Sequence, residues 1–271
     1  MKAVLALLAA LSLACGRPYS VRRGVVYARS CSEALTLDAY VPDGAGPFPA
    51  VVLIHGGGWS ARRPRDMAHI ARALARRGFV ALTIVYRLAP ANRYPAALED
   101  VLEAVRYARR ESAVLKLDPE RLGAWGYSAG AHLAAMLGVG GGEDSGPGDR
   151  VAAVVAGGVP ADFSKYPLSP IITPFLGPSF AEDPALWREA SPVGYATPDD
   201  AAFFLYHGTA DTLVEPEQAR LLAEALTRAG VACRVFWVEG RGHVSAFVFD
   251  GGAVAAALDF LETALAAPRP G

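Results

Sequence analysis

The segment from Leu122 to Gly138, LGAWGYSAGAHLAAMLG, joins a short apolar run to a second apolar run with helical spacing. Between the two runs lies Ser128, with Gly126 two residues before it and Gly130 two residues after it. This G-x-S-x-G pattern is typical of a sharp strand-to-helix turn that exposes a serine hydroxyl, because glycines allow two backbones to come close there. The segment therefore predicts a buried strand, a turn with a candidate nucleophile, and a helix. The alternative is a Ser–Gly turn without chemical meaning.

The rest of the chain alternates short β-rich runs with longer helical patterns, which predicts a mostly parallel sheet covered by helices on both faces. The first two strands are expected to form an antiparallel pair. The predicted strands span residues 24–30, 34–42, 49–55, 79–87, 122–128, 151–159, 202–208 and 233–240. The predicted helices span residues 71–78, 96–111, 215–229 and 252–266.

One long segment interrupts this alternation. The interval from Pro160 to Pro198 contains eight prolines and no clear periodicity. A long irregular insertion in a compact α/β domain is more often a lid or a substrate-facing loop than a linker. We therefore predict a single domain over residues 16–271, with residues 160–200 as its lid or substrate-facing insertion.

Composition limits the class of partner. The chain has 271 residues, of which 52% are hydrophobic, so it is long enough to bury a large core. Its 26 basic and 27 acidic residues leave a formal net charge of −1. Such a balance creates no field that attracts nucleic acid, and no nucleic-acid partner is expected.

The first 15 residues have the pattern of an export signal. An uncharged apolar run from Ala3 to Ala14 follows Lys2 and is too short for a permanent membrane-spanning helix. We therefore predict an exported protein: secreted, periplasmic or lipid-anchored. Cys15 stands where a lipoprotein signal is cleaved, although Ser12 occupies a position that usually carries leucine. Lipidation of Cys15, simple secretion and a buried N-terminal helix are the alternatives.

Two cysteines remain after this segment, Cys31 and Cys233. The strand order implied by the family resemblance given below places them near opposite edges of the sheet, roughly 25 to 30 Å apart at about 4.8 Å per strand. They should therefore not form a disulfide, which requires Cα atoms within about 7 Å.

Two later segments supply partners for a serine nucleophile. In AFFLYHGTADTLV (202–214), Asp211 follows a predicted strand, and in VFWVEGRGHVSAF (235–247), His243 follows the next one. Both residues should lie in loops at the carboxyl edge of the sheet, together with Ser128. A serine needs a histidine base oriented by a carboxylate, and the order serine, acid, histidine is that of one known fold class.

The other four histidines fit this role less well. His55 opens a glycine run and should shape that loop, and His69 belongs to a solvated helix face. His132 lies one helical turn after Ser128 and should serve packing, while His207 ends a strand four residues before Asp211. No pair of histidines has the spacing of a metal site, and neither a metal nor a cofactor is expected.

The segment VVLIHGGGWS (51–60) ends a predicted strand with three glycines. Their backbone amides could turn toward a negative charge that side chains would otherwise block. A phosphate cradle would need a Walker lysine or a G-x-G-x-x-G pattern, and neither follows the glycines. The amide of Ala129, directly after Ser128, would be a further donor to an oxyanion.

Taken together, these motifs resemble the α/β-hydrolase fold. Within it the chain is similar to carboxylesterases related to hormone-sensitive lipase and to the diacyl or feruloyl esterases. The matching segments are HGGGW (55–59), YRLAP (86–90), YPAALEDV (94–101), LDPERLGAWGYSAGAHLAAMLG (117–138), HGTAD (207–211) and GRGH (240–243). The resemblance implies an eight-stranded sheet in the order 1-2-4-3-5-6-7-8.

The resemblance also implies roles for individual residues. Ser128 would be the nucleophile, His243 the base and Asp211 its orienting carboxylate. The oxyanion donors would be Gly57, Gly58 and Ala129, and no cofactor is implied. Arg87, Glu99 and Asp100, although they lie in a family motif, should form structural ion pairs.

The substrate is less well defined by the sequence. Only two strands fit between residue 17 and the glycine loop, so the chain lacks the N-terminal cap helices of many lipase-like members. Trp59 matches the H-G-G-x-W signature of arylformamidases, which keeps an amide or formyl substrate open. Trp59 could wall the acyl pocket or pack against the adjacent helix, and we predict substrate contacts for Trp59 and Tyr127.

We therefore predict a cofactor-free serine carboxylesterase that cleaves short-chain acyl esters of small molecules. An arylformamidase or another amide hydrolase with the same triad is the alternative. A non-catalytic binding protein of the same fold is the alternative from another class. Membrane contact is expected only through a lipid at Cys15, and the sequence leaves the oligomeric state open.

Overall fold

The computed structural model describes residues 16–30, 33–61, 63–140 and 149–267. Within these residues eight strands form one sheet in the order β1-β2-β4-β3-β5-β6-β7-β8, which confirms the predicted order. The strands are β1 Tyr19–Arg29, β2 Ala34–Pro42, β3 Phe48–Ile54, β4 Val80–Ile84, β5 Leu117–Tyr127, β6 Ala153–Gly157, β7 Ala202–Gly208 and β8 Cys233–Val238. β1 and β2 are antiparallel, as predicted, and β2 is antiparallel to β4. The remaining neighbours are parallel.

Helices cover both faces of the sheet. They are α1 Ala68–Arg76, α2 Ala96–Arg110, α3 Ser112–Leu115, α4 Ala129–Gly138, α5 Ile172–Leu176, α6 Pro184–Glu189, α7 Glu217–Arg228, α8 His243–Val248 and α9 Ala253–Ala264. The central strand β3 shows why its sequence is apolar throughout. Val52 and Ile54 pack in the core cluster under α2, α4 and α7, while Val51 and Leu53 pack in the opposite cluster under α1 and α9.

The largest differences from the predicted strand boundaries are at the starts of β1 and β5 and at the end of β4. β1 begins at Tyr19 because it pairs with β2 as far as Pro42, and β5 begins at Leu117. β4 ends at Ile84 rather than at residue 87. The Arg87 amide instead donates to the carboxylate of Asp100 at 2.7 Å, and the Arg87 side chain forms ion pairs with Asp100 and Glu99 at 2.8 Å. These three residues therefore form the expected structural ion pairs.

Residues 160–200 connect β6 to β7 and contain α5, α6 and the single turns Phe163–Lys165 and Pro192–Gly194. Gln218 of α7 holds the start of this segment in place. Its side-chain oxygen accepts hydrogen bonds from the backbone amides of Ala161 at 2.8 Å and Asp162 at 2.7 Å. We call residues 160–200 the insertion. Its role as a lid or substrate-facing loop stays a prediction.

The N-terminal predictions concern residues 1–15 with Cys15, and these lie outside the described residues, as does Cys31. Cys233 is a partly buried free thiol on β8, at the opposite edge of the sheet from β1. None of the helices within the described residues combines the length and the apolar composition needed to cross a bilayer.

Candidate active site

Ser128 occupies the turn between β5 and α4, where its backbone has φ 55° and ψ −121°. A residue other than glycine is strained in this conformation, which is typical of functional sites. The two flanking positions must be glycine, because a Cβ atom at either one would collide with neighbouring backbone. A Cβ atom on Gly126 would lie 2.0 Å from the carbonyl oxygen of Gly130, and a Cβ atom on Gly130 would lie 2.1 Å from the carbonyl oxygen of Ile54. The motif therefore packs three backbone segments tightly enough to present the Ser128 side chain.

Asp211 and His243 come into direct contact at the carboxyl edge of the sheet, as their positions in the sequence predicted. Asp211 lies in the loop after β7, and His243 is the first residue of α8, which follows β8. Their side chains form a hydrogen bond of 2.6 Å between His243 Nδ1 and Asp211 Oδ2. The other carboxylate oxygen, Oδ1, accepts the amides of Leu213 and Val214 at 2.9 Å each.

These contacts determine the charge of Asp211, which is 3% exposed. Burial alone would raise the pKa of its carboxyl group. Hydrogen bonds from His207, His243 and the Val214 amide outweigh that effect and hold the pKa of Asp211 well below its usual range. Asp211 is therefore a carboxylate at neutral pH, able to stabilise a positive charge on His243.

Ser128 and His243 both lie next to the backbone at Gly157 and Gly158, where β6 ends. The Ser128 amide donates to the carbonyl oxygen of Gly157 at 2.8 Å. A Cβ atom on the next residue, Gly158, would lie 3.0 Å from Cε1 of His243. Nε2 of His243 is buried and has no hydrogen-bond partner among the described residues. Hydrogen bonds between a nucleophile and its base are often long before substrate binds, so the geometry leaves His243 a candidate base.

Tyr127, predicted to contact substrate, supports the backbone of the candidate base. Its side chain is 5% exposed, and its hydroxyl group donates to the carbonyl oxygen of His243. Burial raises the pKa of Tyr127 well above its usual range, so the phenol stays neutral and remains a donor. Substrate contact by Tyr127 stays a prediction.

The glycine run after β3 turns its backbone through left-handed conformations, with φ 107° at Gly57 and φ 58° at Gly58. Within the described residues, the amides of Gly57, Gly58 and Ala129 donate to no other protein atom. A Cβ atom on Gly56, which precedes these residues, would lie 3.4 Å from Cβ of Ser128. Amide donors without protein partners therefore lie close to the candidate nucleophile.

His55 braces this loop, as predicted from its position. The ring is fully buried and stacks on Tyr86, with centroids 4.3 Å apart and an interplanar angle of 14°. The Tyr86 hydroxyl donates to the carbonyl oxygen of His55 at 2.9 Å. Ring and backbone are therefore held together at the point where the chain leaves β3.

Trp59, the residue after the glycines, packs against the insertion. Its indole is 3% exposed and stacks on Phe175 with centroids 4.4 Å apart and an interplanar angle of 12°. It meets the rings of Phe163 and His132 edge-on at 5.5 Å and 5.2 Å. We call Trp59, His132, Phe163 and Phe175 the aromatic cluster. It joins the glycine loop to α4 and to the insertion, and a contact of Trp59 with the acyl group stays a prediction.

The remaining histidines differ in their surroundings. His69 is exposed, in agreement with the prediction, and His132 serves packing, as expected. His132 is fully buried, and its Nε2 lies 2.7 Å from the carbonyl oxygen of Ala190 in the insertion. Burial lowers the pKa of His132 to about 4, so its ring is neutral at physiological pH.

His207 lies near the end of a strand, as predicted, but its contact with Asp211 was not predicted. It is fully buried near the end of β7, and its Nε2 lies 3.3 Å from Oδ2 of Asp211. The only signal in the sequence is the spacing of four residues between His207 and Asp211 in HGTAD. That spacing becomes informative only when the loop between the two residues is known.

The strand order, the turn at Ser128 and the Asp211–His243 pair together define an α/β-hydrolase fold with the elements of a serine hydrolase site. Comparison with known sequences identifies the family within this fold. The sequence model of the BD-FAE family matches residues 37–226, and the chain belongs to that family.

Relatives and solved structures agree with this assignment. Esterase LipC of Mycobacterium tuberculosis is 30% identical over 84% of this chain and 60% of its own length. A truncated carbohydrate esterase from gut microbiota is 27% identical with a TM-score of 0.83, over 93% of this chain and 100% of that one. Esterase Est2 of Thermogutta terrifontis with bound propionate is 26% identical with a TM-score of 0.77, over 94% of this chain and 97% of that one. The chain spans about half the length of the curated relatives it matches.

Proposed function

We propose that this protein is a serine carboxylesterase that cleaves short-chain acyl esters through an acyl-enzyme. The observation that carries the proposal is the 2.6 Å hydrogen bond between His243 and the ionised Asp211, beside the strained turn that presents Ser128. Acyl transfer requires a nucleophile, a base and a carboxylate, and these two features support those roles for Ser128, His243 and Asp211.

In the first half of the reaction, Oγ of Ser128 attacks the ester carbonyl carbon while Nε2 of His243 takes its proton. Collapse of the tetrahedral intermediate breaks the bond to the alcohol oxygen, which receives that proton from His243. In the second half, water attacks the acyl group on Ser128 and gives a proton to Nε2. The acid then leaves, and the proton returns to Oγ.

Asp211 keeps the proton of neutral His243 on Nδ1, so that Nε2 is free to act as the base. It also stabilises the imidazolium that forms in both halves of the reaction. The amides of Gly57, Gly58 and Ala129 would donate to the oxyanion, since they have no protein partner among the described residues. Loss of one such donor typically raises the barrier by roughly 3 to 4 kcal/mol.

The proposal of a short acyl group rests on how little room the insertion leaves beside the glycine loop. A Cβ atom on Gly58 would lie 3.0 Å from Cγ2 of Ile171, so the insertion contacts this loop at Ile171. The indole of Trp59 fills the space behind it. Est2, which shares the fold, has been solved with propionate and with butyrate bound.

The test is hydrolysis of p-nitrophenyl acetate by the full chain and by Ser128→Ala. The variant should lose activity by at least about 10³-fold, because the remaining groups cannot form the acyl-enzyme. Ser179→Ala is the matched control, since within the described part of the chain the Ser179 hydroxyl bonds only to Glu182 of the insertion. A fluorophosphonate probe should label the wild type and Ser179→Ala but not Ser128→Ala.

Substrate class is tested with the same proteins. Aryl acetates should be turned over faster than butyrates and hexanoates, and an N-formyl arylamide more slowly than all of them. Faster turnover of the N-formyl arylamide would replace the esterase with an amide hydrolase of the same mechanism. A wild type that the probe does not label would show that the chain is a binding protein without a working nucleophile.

A further inference from the structure

His207 is a buried histidine that the proposed reaction does not use. It lies on β7, the strand that leads to Asp211, and its side chain is fully buried. Its Nε2 lies 2.7 Å from the carbonyl oxygen of Val214 and 3.3 Å from Oδ2 of Asp211. One nitrogen of this ring therefore faces two acceptors, both in the loop that holds the candidate catalytic carboxylate.

The two acceptors identify the protonated nitrogen. A carbonyl oxygen and a carboxylate can only accept, so Nε2 must carry a proton. Nδ1 is buried and has no partner among the described residues. A second proton on Nδ1 would be a buried charge without a hydrogen bond, which is costly. The Nε2–H forms its hydrogen bond with Val214, and Oδ2 of Asp211 lies 3.3 Å from the same nitrogen.

This N–H completes the surroundings of the Asp211 carboxylate. Oδ1 is fixed by the amides of Leu213 and Val214, while Oδ2 lies between His243 and His207. Val214 is bonded twice, because its amide donates to Asp211 and its carbonyl oxygen accepts from His207. The conformation of the loop 211–214 is thus held by hydrogen bonds between Val214 and the side chains of Asp211 and His207.

We propose that His207 is a positioning residue of the Asp211–His243 pair: its Nε2–H holds Oδ2 in line with His243 and withdraws part of the negative charge from that oxygen. It never touches the substrate. Without it, Oδ2 would attract the His243 imidazolium more strongly, and the loop would hold the carboxylate less firmly. The kinetic consequences rest on the proposed function, whereas the arrangement of the three side chains does not.

Few other ionisable groups act on this pair. Tyr127 on β5 donates to the carbonyl oxygen of His243 and stays neutral through burial, which raises its pKa. Tyr166 of the insertion donates to the exposed Glu215, and burial likewise raises its pKa. His207 is the neighbour in direct reach of Oδ2 besides His243. Substitution of His207 therefore changes the polar environment of Oδ2 of Asp211 directly.

The experiment compares His207→Phe, His207→Gln and His207→Asn with the wild type in the full chain. Phenylalanine keeps a ring but removes the N–H. The glutamine amide can occupy the place of Nε2, whereas the shorter asparagine amide cannot reach it. The pH titration of His243 is followed by NMR through its Cε1 proton, and kcat and KM are measured on p-nitrophenyl acetate.

With His207→Phe and His207→Asn, the midpoint of the His243 titration should rise by roughly half a unit to one unit. In the same variants kcat should fall about tenfold to a hundredfold, with KM changed less than about threefold. His207→Gln should restore both values to near those of the wild type. The pair of Gln and Asn variants decides the question even if the Phe variant does not fold.

His132→Phe is the matched control. His132 is also fully buried, its Nε2 is also 2.7 Å from a backbone carbonyl oxygen, and its Nδ1 also lacks a partner among the described residues. It does not contact Asp211, so His132→Phe should leave the His243 midpoint unchanged. An unchanged midpoint in folded His207→Asn, or an equal shift in His132→Phe, would overturn the proposal. The NMR titration needs no substrate, so it tests His207 even if Ser128→Ala retained activity and the proposed function failed.

Discussion

The two sides of Ser128 are held by different forces. On one side, the glycine loop is fixed by the aromatic cluster, in which the Trp59 indole is buried and its Nε1 has no partner among the described residues. On the other side, Asp211 is fixed by hydrogen bonds to both carboxylate oxygens. Ring packing depends on size and shape, whereas the hydrogen bonds depend on the identity and protonation of each group. The first side should therefore tolerate isosteric exchange, and the second should not.

The largest effect is expected from the smallest change of shape, Asp211→Asn. The asparagine amide would favour the wrong tautomer of His243, so kcat should fall by about 10³- to 10⁴-fold with little change of fold. Steady-state kinetics on p-nitrophenyl acetate measure this effect. Asp200→Asn is the control, since Asp200 is also buried and accepts two hydrogen bonds from Thr197, but at the opposite end of β7. A similar loss of kcat in both variants would show that any buried, hydrogen-bonded aspartate matters equally, and that the Asp211 side of Ser128 is not special.

Trp59 should show the opposite pattern. Trp59→Ala removes the centre of the aromatic cluster and should destabilise the protein by about 3 to 5 kcal/mol. Trp59→Phe keeps an aromatic ring but removes part of the indole together with an N–H that has no partner among the described residues, so it should cost less than about 2 kcal/mol. Chemical denaturation measures both values. If Trp59→Phe were as damaging as Trp59→Ala, the ring would act through its N–H rather than through packing.

His132 gives the aromatic cluster a pH dependence. Because burial lowers its pKa to about 4, the unfolded chain takes up a proton below pH of about 6.5 while the folded chain does not. Stability should therefore fall by up to about 1.4 kcal/mol per pH unit as the pH drops from about 6.5 to about 4. His132→Phe should remove this slope, which urea denaturation at a series of pH values would show. An unchanged slope would mean that another group titrates there.

The smallest effect concerns selectivity. Ile171 is 39% exposed and touches the glycine loop, while Leu168, in the same insertion, is 93% exposed. Ile171→Ala should raise kcat/KM for hexanoate relative to acetate by roughly three- to tenfold, because space opens beside Gly58. Leu168→Ala should leave that ratio unchanged. Equal ratios in the two variants would show that the insertion does not limit the acyl group at Ile171.

The sequence predicted the framework because local patterns determine it. The turn at Ser128 and the contact of Asp211 with His243 follow from the motif and the geometry of parallel strands, whereas the strand order came from the family resemblance. The extra residues of β1 and β5 were not predicted, since those strands extend through pairing with distant partners rather than through their own apolar pattern.

The parts that were not predicted depend on tertiary contacts. α5 and α6 are only five and six residues long, so neither shows a helical period in a proline-rich segment. The packing of Trp59 on Phe175 joins residues more than one hundred positions apart. The contact of His207 with Asp211 depends on how the loop 211–214 folds back, which spacing alone does not reveal.

The position of the insertion has a consequence for protein engineering. It is one continuous segment between β6 and β7, whereas Ser128, Asp211 and His243 all lie outside it. The segment can therefore be exchanged as a cassette for one from another protein while the reacting groups stay in place. A transplanted cassette would need two aromatic rings where Phe163 and Phe175 meet Trp59, and a carbonyl oxygen where Ala190 meets His132. Those three contacts would have to be preserved for an exchanged segment to pack on Trp59 and α4 as the insertion does.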